Sequence, residues 1–239
     1  MSANVPPKAF PGPDMQFWEN CYQSGKTPWE KSRPNPQLES WIRTGRLSPI
    51  VASDARPGSN DDSRVVRVLV PGCGSGHEVV LLAEWGFDVL GLDYAPAAVA
   101  QARDLLRALL TSRQAGRVVR AEVLQADLFE YAPEVAFDAV YDQQCLVAIH
   151  PSRWPAYADR LHQWLRPGGE FLLVLDQDLT EAVAAAQAQA GEPRRGPPYA
   201  VSLDQLKTVF GAERWEWPDA LPAELVNAQG QIGLVLTRL

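Results

Sequence analysis

The chain has 239 residues, 46% of them apolar and 21% charged, and its formal net charge is −7. This composition is near the globular average, which excludes a globally disordered chain, and the length fits one domain or one domain with a small accessory. The acidic balance argues against a general nucleic-acid binder, because such proteins need a basic face to displace counterions from phosphates. No apolar run approaches the roughly 20 residues that span a bilayer, and the N-terminus lacks a basic-then-apolar signal pattern.

Cysteine usage bears on the compartment. Cys21, Cys73 and Cys145 are odd in number and far apart in sequence, a pattern that predicts neither a disulfide framework nor a metal site. With the acidic charge and the lack of a membrane span, this pattern predicts a cytoplasmic protein without nucleic-acid or membrane partners. We also expect a monomer or weak dimer.

The N-terminal part of the chain differs from the rest. Residues 1–14 contain four prolines, which predicts a flexible tail. Residues 15–50, called the lid segment below, carry Trp18, Tyr22 and Trp29 ahead of the first sheet strand. These rings either pack on the core or fold over the strand ends as a lid, where aromatic faces would stabilise a cation.

The centre of the chain is a strand, a glycine turn, a helix and a second strand. A β-branched run over 65–70 predicts a strand that is buried on both faces. Gly72, Gly74 and Gly76 follow at two-residue intervals, which lets the backbone turn sharply and approach a ligand. A helical pattern and another strand come next, and Asp93 ends that strand, where it is placed to accept the hydroxyls of a ribose.

These residues alone leave the ligand of the turn open. The NAD form of the motif has glycine at the sixth position, and this chain has His77 there. The Gly-x-Gly-x-Gly spacing fits a nucleoside held by its sugar and base, as in S-adenosylmethionine, better than a pyrophosphate. An NAD or flavin site and a glycine turn without a ligand are the alternatives.

Strand and helix alternate through most of the remaining chain. Asp127 follows a predicted strand, where it either accepts the adenine amine, with Leu128 against the base, or forms a plain turn. The expected elements are helices over 17–22, 36–47, 96–109, 152–165 and 199–210, strands over 118–124, 137–142, 170–175, 212–217 and 231–238, a turn over 166–169, and an alanine-rich insertion over 177–198. This alternation predicts an α/β fold with a doubly wound, mostly parallel sheet and an antiparallel edge strand.

Four short motifs together are more specific than the glycine turn. They are Lys26-Thr-Pro-Trp29, Pro71-Gly-Cys-Gly-Ser-Gly-His-Glu78, Tyr141-Asp-Gln-Gln-Cys-Leu-Val-Ala-Ile149 and Gly196-Pro-Pro-Tyr199. In this combination, from about Phe17 onward, the chain resembles the thiopurine S-methyltransferase superfamily, which includes halide and thiol methyltransferases.

The resemblance implies a seven-stranded, Rossmann-like class I methyltransferase fold with an N-terminal helical lid, as one domain over 15–239. It also implies S-adenosylmethionine as cofactor, with S-adenosylhomocysteine as product. By position, the implied cofactor-binding residues are Trp18, Tyr22, Trp29, Gly72, Gly74, Gly76, Asp93, Tyr94, Asp127 and Leu128. Thiopurine-methylating members carry Arg, and halide-type members carry Tyr, where this chain has Gln143.

Methyl transfer from a sulfonium needs alignment and exclusion of water, and no obligatory general base when the acceptor is a soft anion. No catalytic residue is therefore certain; Gln143 and Asp142 are candidates, and a turn-forming role is the alternative for Asp142. We expect Trp29, Gln143 and Tyr199 to bind the substrate, which is a thiol, a thiopurine-like compound, a halide, thiocyanate, or a selenium or tellurium compound. The alternatives are an NAD-dependent oxidoreductase and a cofactor-binding regulatory protein without turnover.

Overall fold

The structure is a computed structural model that describes residues 12–51, 64–112, 120–176, 197–219 and 226–239. The polar, glycine-containing sequence over 53–63 also predicts a loop. Most of the predicted tail, this loop and nearly all of the predicted insertion lie outside the described residues. The predictions for those parts of the chain stay predictions.

The described chain alternates strands and helices as predicted. The strands are β1 (Ile50–Val51), β2 (Arg64–Val65), β3 (Arg67–Pro71), β4 (Asp88–Asp93), β5 (Arg120–Gln125), β6 (Phe137–Gln143), β7 (Leu165–Asp176), β8 (Trp215–Glu216) and β9 (Gln231–Arg238). The helices are α1 (Met15–Gln23), α2 (Pro36–Arg43), α3 (His77–Glu84), α4 (Pro96–Leu110), α5 (Cys145–Ala148), α6 (Trp154–Trp164) and α7 (Leu203–Val209).

Seven of these strands form one sheet in the order β5-β4-β3-β6-β7-β9-β8. The strands from β5 to β7 in this order are parallel, and β9 runs antiparallel to both β7 and β8. The predicted seven-stranded, mostly parallel sheet is therefore confirmed. β1 and β2 pair separately as a short antiparallel ribbon that was not predicted.

The strand order also fixes where a ligand can bind. From β3 the chain builds outward through β4 and β5 on one side, then crosses to β6 and β7 on the other. In open α/β sheets, ligands bind outside the carboxyl ends of the strands at such a reversal.

Alternate residues of the strands face two apolar cores. In β3, Val68 and Val70 pack with α2, α3 and α4, whereas Leu69 between them packs with α5, α6 and α7. In β7, Leu172 and Leu173 divide between the same two cores. Because both faces are covered by helices, the strands are almost continuously apolar, as the sequence of β3 indicates.

The last helix begins at its predicted cap. The sequence predicts a helix over 199–210 that is capped near Ser202, and α7 starts at Leu203 because Ser202 and Gln205 form a capping box. The Ser202 hydroxyl accepts the Gln205 N–H at 3.1 Å, and the Ser202 N–H donates to the Gln205 side chain at 2.9 Å. Tyr199 is outside the helix, and its N–H donates to the carbonyl oxygen of Val147 at 2.7 Å.

Two predicted boundaries are wrong. The 36–47 helix ends at Arg43, because Gly45 adopts φ +75° and turns the chain back so that the Leu47 N–H bonds to the Trp41 carbonyl. The predicted turn over 166–169 is an irregularity within β7, whose pairing with β6 jumps from Leu165 to Glu170.

Candidate functional site

A cavity of about 620 Å³ lies over the carboxyl ends of β3 to β7, at the reversal in strand order. This volume is within the range of small-molecule sites. Most of the predicted site residues line it, namely Trp18, Tyr22, Trp29, Gly72, Gly74, Gly76, Asp93, Tyr94, Asp127, Leu128 and Gln143. Asp142 and Tyr199 do not belong to the lining.

The glycine turn between β3 and α3 lets other parts of the chain approach its backbone. Gly74 has φ +52°, and a Cβ there would lie 2.6 Å from the Tyr22 hydroxyl and 2.7 Å from Glu30 Oε1. At Gly76, with φ +83°, a Cβ would lie 2.8 Å from Ala102 Cβ on α4. A side chain at either glycine would therefore displace the lid segment or α4.

Three aromatic residues of the lid segment, Trp18, Tyr22 and Trp29, meet above this turn. The Trp18 and Trp29 rings are edge-to-face at 5.3 Å, and Tyr22 and Trp29 are edge-to-face at 6.0 Å. Helix α1 is fixed to α4 by Glu19, whose Oε2 accepts the Ala97 N–H at 2.7 Å. Several aromatic faces therefore border the cavity, an arrangement that suits a cationic ligand.

Glu30 connects the lid segment to the glycine turn. Its Oε1 accepts hydrogen bonds from the Tyr22 hydroxyl at 3.0 Å and from the Ser75 N–H at 3.2 Å. Trp29 Nε1 donates to the same Tyr22 hydroxyl at 3.2 Å. Burial and the Glu30 carboxylate both raise the pKa of Tyr22, so its hydroxyl keeps the proton that it donates.

Asp93 ends β4 as predicted, and its carboxylate is held by the backbone. Oδ2 accepts the Gly74 N–H and Oδ1 accepts the Ala95 N–H, each at 3.0 Å. Burial raises the pKa of Asp93, and these N–H groups oppose the shift. The Tyr94 N–H also bonds to the carboxylate. A carboxylate has about four lone pairs, so three backbone donors leave it acceptor capacity for a ribose hydroxyl.

Asp127 and Leu128 follow β5 and extend the wall beyond Asp93. Asp127 Oδ1 accepts the Phe129 N–H at 2.8 Å, so this aspartate closes a turn and also lines the cavity. Leu128 packs against the core on the β5 side. Burial, followed by the Asp127 carboxylate, raises the pKa of Tyr94, which lines the same region.

Gln143 ends β6 on the opposite side of the glycine turn. Its Oε1 accepts a hydrogen bond from the Tyr141 hydroxyl at 3.2 Å. The position of Gln143 agrees with the predicted place of the substrate, while its role stays a prediction.

Asp142, the second catalytic candidate, faces the interior. It is 0% exposed and accepts the N–H groups of Cys145 and Leu146 and, at 2.8 Å, the Tyr157 hydroxyl. Burial raises its pKa to about 6 against these hydrogen bonds. The geometry therefore favours the turn-forming role, with Asp142 holding the start of α5, over a catalytic one.

Tyr199, a predicted substrate residue, stands behind the wall. It is 7% exposed, and its ring packs edge-on against the His150 ring at 5.3 Å. His150 itself lines the cavity. Tyr199 is therefore placed to support His150 and not to contact a substrate directly.

Some polar residues of the wall were not predicted: Glu30, Asn35, Glu78, Gln144, Asp176 and Gln231. Glu30 directly follows the Thr-Pro-Trp run, and Asp176 directly follows the predicted strand over 170–175. The strand-end rule that selected Asp93 also applies to Asp176. Asn35 and Gln231 carry no local signal, since only the packing of distant segments brings them to this edge.

Glu78 lies in the first turn of α3 and has an unusual protonation equilibrium. Burial raises its pKa to about 7, although the Asn35 N–H donates to its Oε1 at 3.0 Å. The group is therefore close to half ionised at neutral pH. A carboxyl that titrates inside a cavity is characteristic of functional sites.

The wall fits S-adenosylmethionine in its chemistry. A carboxylate at the end of β4 keeps acceptors free for a ribose, and aromatic faces border the turn where a sulfonium would lie. Carboxylates from Glu30, Glu78, Asp93, Asp127 and Asp176 also line the cavity, which favours a cationic ligand.

Comparison with known proteins supports the same assignment. The family model described as thiopurine S-methyltransferase matches residues 13–232. A thiopurine S-methyltransferase of Pseudomonas fluorescens is 34% identical over 207 residues, which cover 83% of this chain and 82% of that protein. A probable thiol methyltransferase 2 and a thiocyanate methyltransferase 1 of Arabidopsis thaliana are each 29% identical, covering 81% of this chain and 70% of theirs.

Solved structures share the fold. One, from work on the conversion of a disulfide bond into a thioacetal group during echinomycin biosynthesis, has a TM-score of 0.64 and 24% identity, covering 94% of this chain and 91% of that one. Magnesium protoporphyrin IX methyltransferase from Synechocystis, with bound S-adenosylhomocysteine, has a TM-score of 0.64 and 14% identity, covering 95% and 100%. The matching family model, the bacterial relative and this fold together show that the chain belongs to the thiopurine S-methyltransferase family of S-adenosylmethionine-dependent methyltransferases.

Proposed function

We propose that this methyltransferase acts on a small soft nucleophile: a thiol, a thiopurine-like compound, a halide, thiocyanate, or a selenium or tellurium compound. The observation that carries the proposal is the single cavity that runs from Asp93 and Asp127 past the glycine turn to Gln143. The end at Asp93 and Asp127 suits an adenosine, and the end at Gln143 leaves room for a methyl acceptor. The relatives named for thiol, thiocyanate and thiopurine substrates support sulfur acceptors in particular.

In the proposed complex, Asp93 accepts the ribose hydroxyls, and Asp127 with Leu128 holds the adenine. Trp18, Tyr22 and Trp29 cover the site and exclude water, and Glu30 holds them against the glycine turn. When bound, S-adenosylmethionine supplies a methyl group on a sulfonium, and after transfer its sulfur keeps the electron pair of the broken bond as a neutral thioether.

The work of the protein is then alignment and desolvation. A thiol that ionises loses its proton to solvent before it is enclosed, and the wall at Gln143 holds its sulfur in line with the methyl group. Closely positioned reactants and an excluded solvent together account for large rate gains without a general base. This agrees with the burial of Asp142, which leaves no carboxylate of that strand end free to act as a base.

Binding and turnover test the proposal in two steps. S-adenosylhomocysteine should raise the melting temperature, whereas NADH should give no fluorescence change on titration. The second step is mass spectrometry of methylated products from thiols, 6-mercaptopurine, iodide, thiocyanate and selenide. S-adenosylhomocysteine binding without product from any of these acceptors would instead favour a cofactor-binding protein without turnover.

A further inference from the structure

Beyond Gln143, the cavity continues along the sheet to β7 and β9. Asp176 is the last residue of β7, and it pairs in register with Gln231, the first residue of β9. Both side chains line the cavity, as does Gln144, next to Gln143. This part of the wall, the polar lobe, lies on the opposite side of the glycine turn from Asp93 and Asp127.

The polar lobe is built around the carboxylate of Asp176. Its Oδ2 accepts the Gln144 Nε2 amide and its Oδ1 accepts the Gln231 Nε2 amide, each at 2.9 Å. The Gln231 Oε1 in turn accepts the Asn35 side-chain amide at 3.1 Å. The amides fix the position of the carboxylate, and each of its oxygens keeps a further lone pair.

Gln144 reaches Asp176 from a strained backbone. It has φ +69°, and among the described residues only Ser32 is another non-glycine residue with positive φ. Glutamine in the left-handed region costs roughly 1 kcal/mol or more, and such residues cluster at functional sites. From this backbone conformation the Gln144 side-chain amide donates to Asp176.

In the described structure, no ion pair joins Asp176 to a lysine or arginine that lines the cavity. Arg153 lies over the Phe129 ring at 3.4 Å, on the β5 side. Lys31 is exposed and donates to the Pro28 carbonyl, and Arg33 is exposed as well, so water screens both charges. Asp176 is half-buried and bonded to neutral amides, where a charge is felt more strongly.

We infer that the polar lobe binds a positively charged hydrogen-bond donor on the methyl acceptor, so that the preferred substrates are thiols that carry an amine. This inference rests on the proposed function and narrows its substrate class. The ammonium group lies against Asp176 and the Gln144 carbonyl oxygen, and the sulfur lies towards Gln143. Bare anions and thiols with a carboxylate gain nothing from this wall and are repelled by Asp176.

Three thiols of similar size test the inference: 2-aminoethanethiol, 2-mercaptoethanol and mercaptoacetate. We expect kcat/KM for 2-aminoethanethiol to exceed that for mercaptoacetate by at least about tenfold, and Asp176→Asn to reduce this preference about tenfold. For each thiol, kcat/KM of the variant is divided by kcat/KM of the wild type, because the intrinsic reactivity of the thiol cancels in this ratio. For 2-mercaptoethanol, kcat/KM of Asp176→Asn should stay within about threefold of the wild-type value.

Two further variants guard against a purely structural effect of the Asp176 substitution. Asp104→Asn removes the same charge from an exposed site on α4 and should leave all three ratios unchanged. Gln143→Lys adds a cation to the acceptor side without touching Asp176 and should shift the preference towards mercaptoacetate. Unchanged preferences in both Asp176→Asn and Gln143→Lys, with melting temperatures like that of the wild type, would overturn the inference.

A binding measurement separates this inference from the proposed function. Calorimetry on the protein saturated with S-adenosylhomocysteine should show tighter binding of 2-(methylthio)ethylamine than of methylthioacetate, and Asp176→Asn should remove the difference. Amine-selective binding without turnover of any thiol would support the polar lobe and count against the proposed acceptor class. Turnover in which mercaptoacetate or thiocyanate is the best acceptor would support the proposed function, point to Arg33 as the acceptor-binding charge, and overturn the inference.

Discussion

Three aspartates near strand ends show how surroundings decide the role of a carboxylate. Asp93 lines the cavity and keeps acceptor capacity beyond its backbone donors, whereas Asp142, 0% exposed, accepts hydrogen bonds from Cys145, Leu146 and Tyr157 in the interior. Asp176 lies between these cases, with one amide on each oxygen and a face in the cavity. All three are aspartates at the carboxyl end of a strand, so only the donors around each carboxylate distinguish them.

Asp93→Ala should weaken S-adenosylhomocysteine binding by about 1–3 kcal/mol, because ribose hydroxyls would lose their acceptor in a buried site. The substitution also frees the Gly74 N–H that Asp93 holds. Calorimetric titration measures the dissociation constant, and Asp104→Asn on the surface is the control. An unchanged constant would show that another residue accepts the ribose.

The protonation of Glu78 predicts a pH dependence of cofactor affinity. Its pKa is raised to about 7 by burial, so the carboxyl is neutral below that pH and negative above it. Between pH 6 and 8 the affinity for the cationic S-adenosylmethionine should therefore rise, by about three- to tenfold more than the affinity for neutral S-adenosylhomocysteine. Dissociation constants of both ligands over this range provide the measurement.

Glu78→Gln is the matched variant for that pH profile. A glutamine carbonyl can still accept the Asn35 N–H, so the fold is kept while the titrating group is removed. The extra pH dependence of S-adenosylmethionine binding should be lost in this variant. A profile identical to that of the wild type would assign the titration to a different group.

Among the elements, the lid segment depends on one side chain for its contact with the glycine turn. Its aromatic residues were predicted as a group, but Glu30, which ties Tyr22 to Ser75, was not. The reason is that the aromatic content of the segment is visible in sequence, whereas the proximity of Glu30 to a turn 45 residues later depends on the docking of α1 on α4.

Glu30→Ala should loosen the lid segment and weaken S-adenosylhomocysteine binding about three- to thirtyfold, because the Tyr22 hydroxyl and the Ser75 N–H lose a shared acceptor. Glu30→Gln keeps a carbonyl acceptor and should restore most of the affinity. Tryptophan fluorescence reports the environment of Trp18 and Trp29 during the titration. Equal affinities for wild type and Glu30→Ala would show that the aromatic contacts hold the lid segment without this link.

Across the whole molecule, Asp138 of β6 joins three other strands, β2, β3 and β7, at the end of the sheet remote from the cavity. Its carboxylate accepts two bonds from the Arg64 guanidinium, one from the Arg67 N–H at 2.8 Å and one from Arg166 Nε. Burial alone would raise the pKa of Asp138, but these donors outweigh it and lower the pKa to about 2.

This network predicts a loss of stability in acid. The pKa of Asp138 is about 2 in the folded chain and about 3.9 in the unfolded chain, so the unfolded state binds the proton first as the pH falls. The contribution is therefore complete above about pH 4 and is lost as the pH falls to about 2. Because the Arg64 and Arg166 side chains are 50% and 40% exposed, we expect about 1–2 kcal/mol.

Asp138→Asn is the variant that checks this value. Urea unfolding should show a free energy of unfolding about 1–2 kcal/mol below that of the wild type at pH 7, and a difference that shrinks towards pH 2. Asp159→Asn, which breaks an exposed pair with Arg214, should change stability by less than about 0.5 kcal/mol. A difference that stays constant with pH would show that side-chain ionisation is not its cause.

The sequence by itself determined the sheet, the family and one half of the cavity. The β-branched run of β3, the glycine turn and Asp93 lie within about thirty residues, and local geometry alone places such a strand, turn and helix together. The residues predicted around them, from Trp18 to Asp127, line the cavity because each follows a parallel strand or belongs to one aromatic segment.

Only the tertiary structure decided the other half of the cavity, which contains the polar lobe. Asp142 and Asp176 both lie at the carboxyl ends of apolar strands, yet Asp142 is sealed by α5 and α6, whereas Asp176 meets Gln144 and Gln231 in the cavity. Asn35 and Gln231 are 196 positions apart, and their contact exists because α2 packs beside the last strand of the chain. Hydrogen bonds between distant segments leave no periodic or local trace in a sequence, so the polar lobe becomes visible only in the folded molecule.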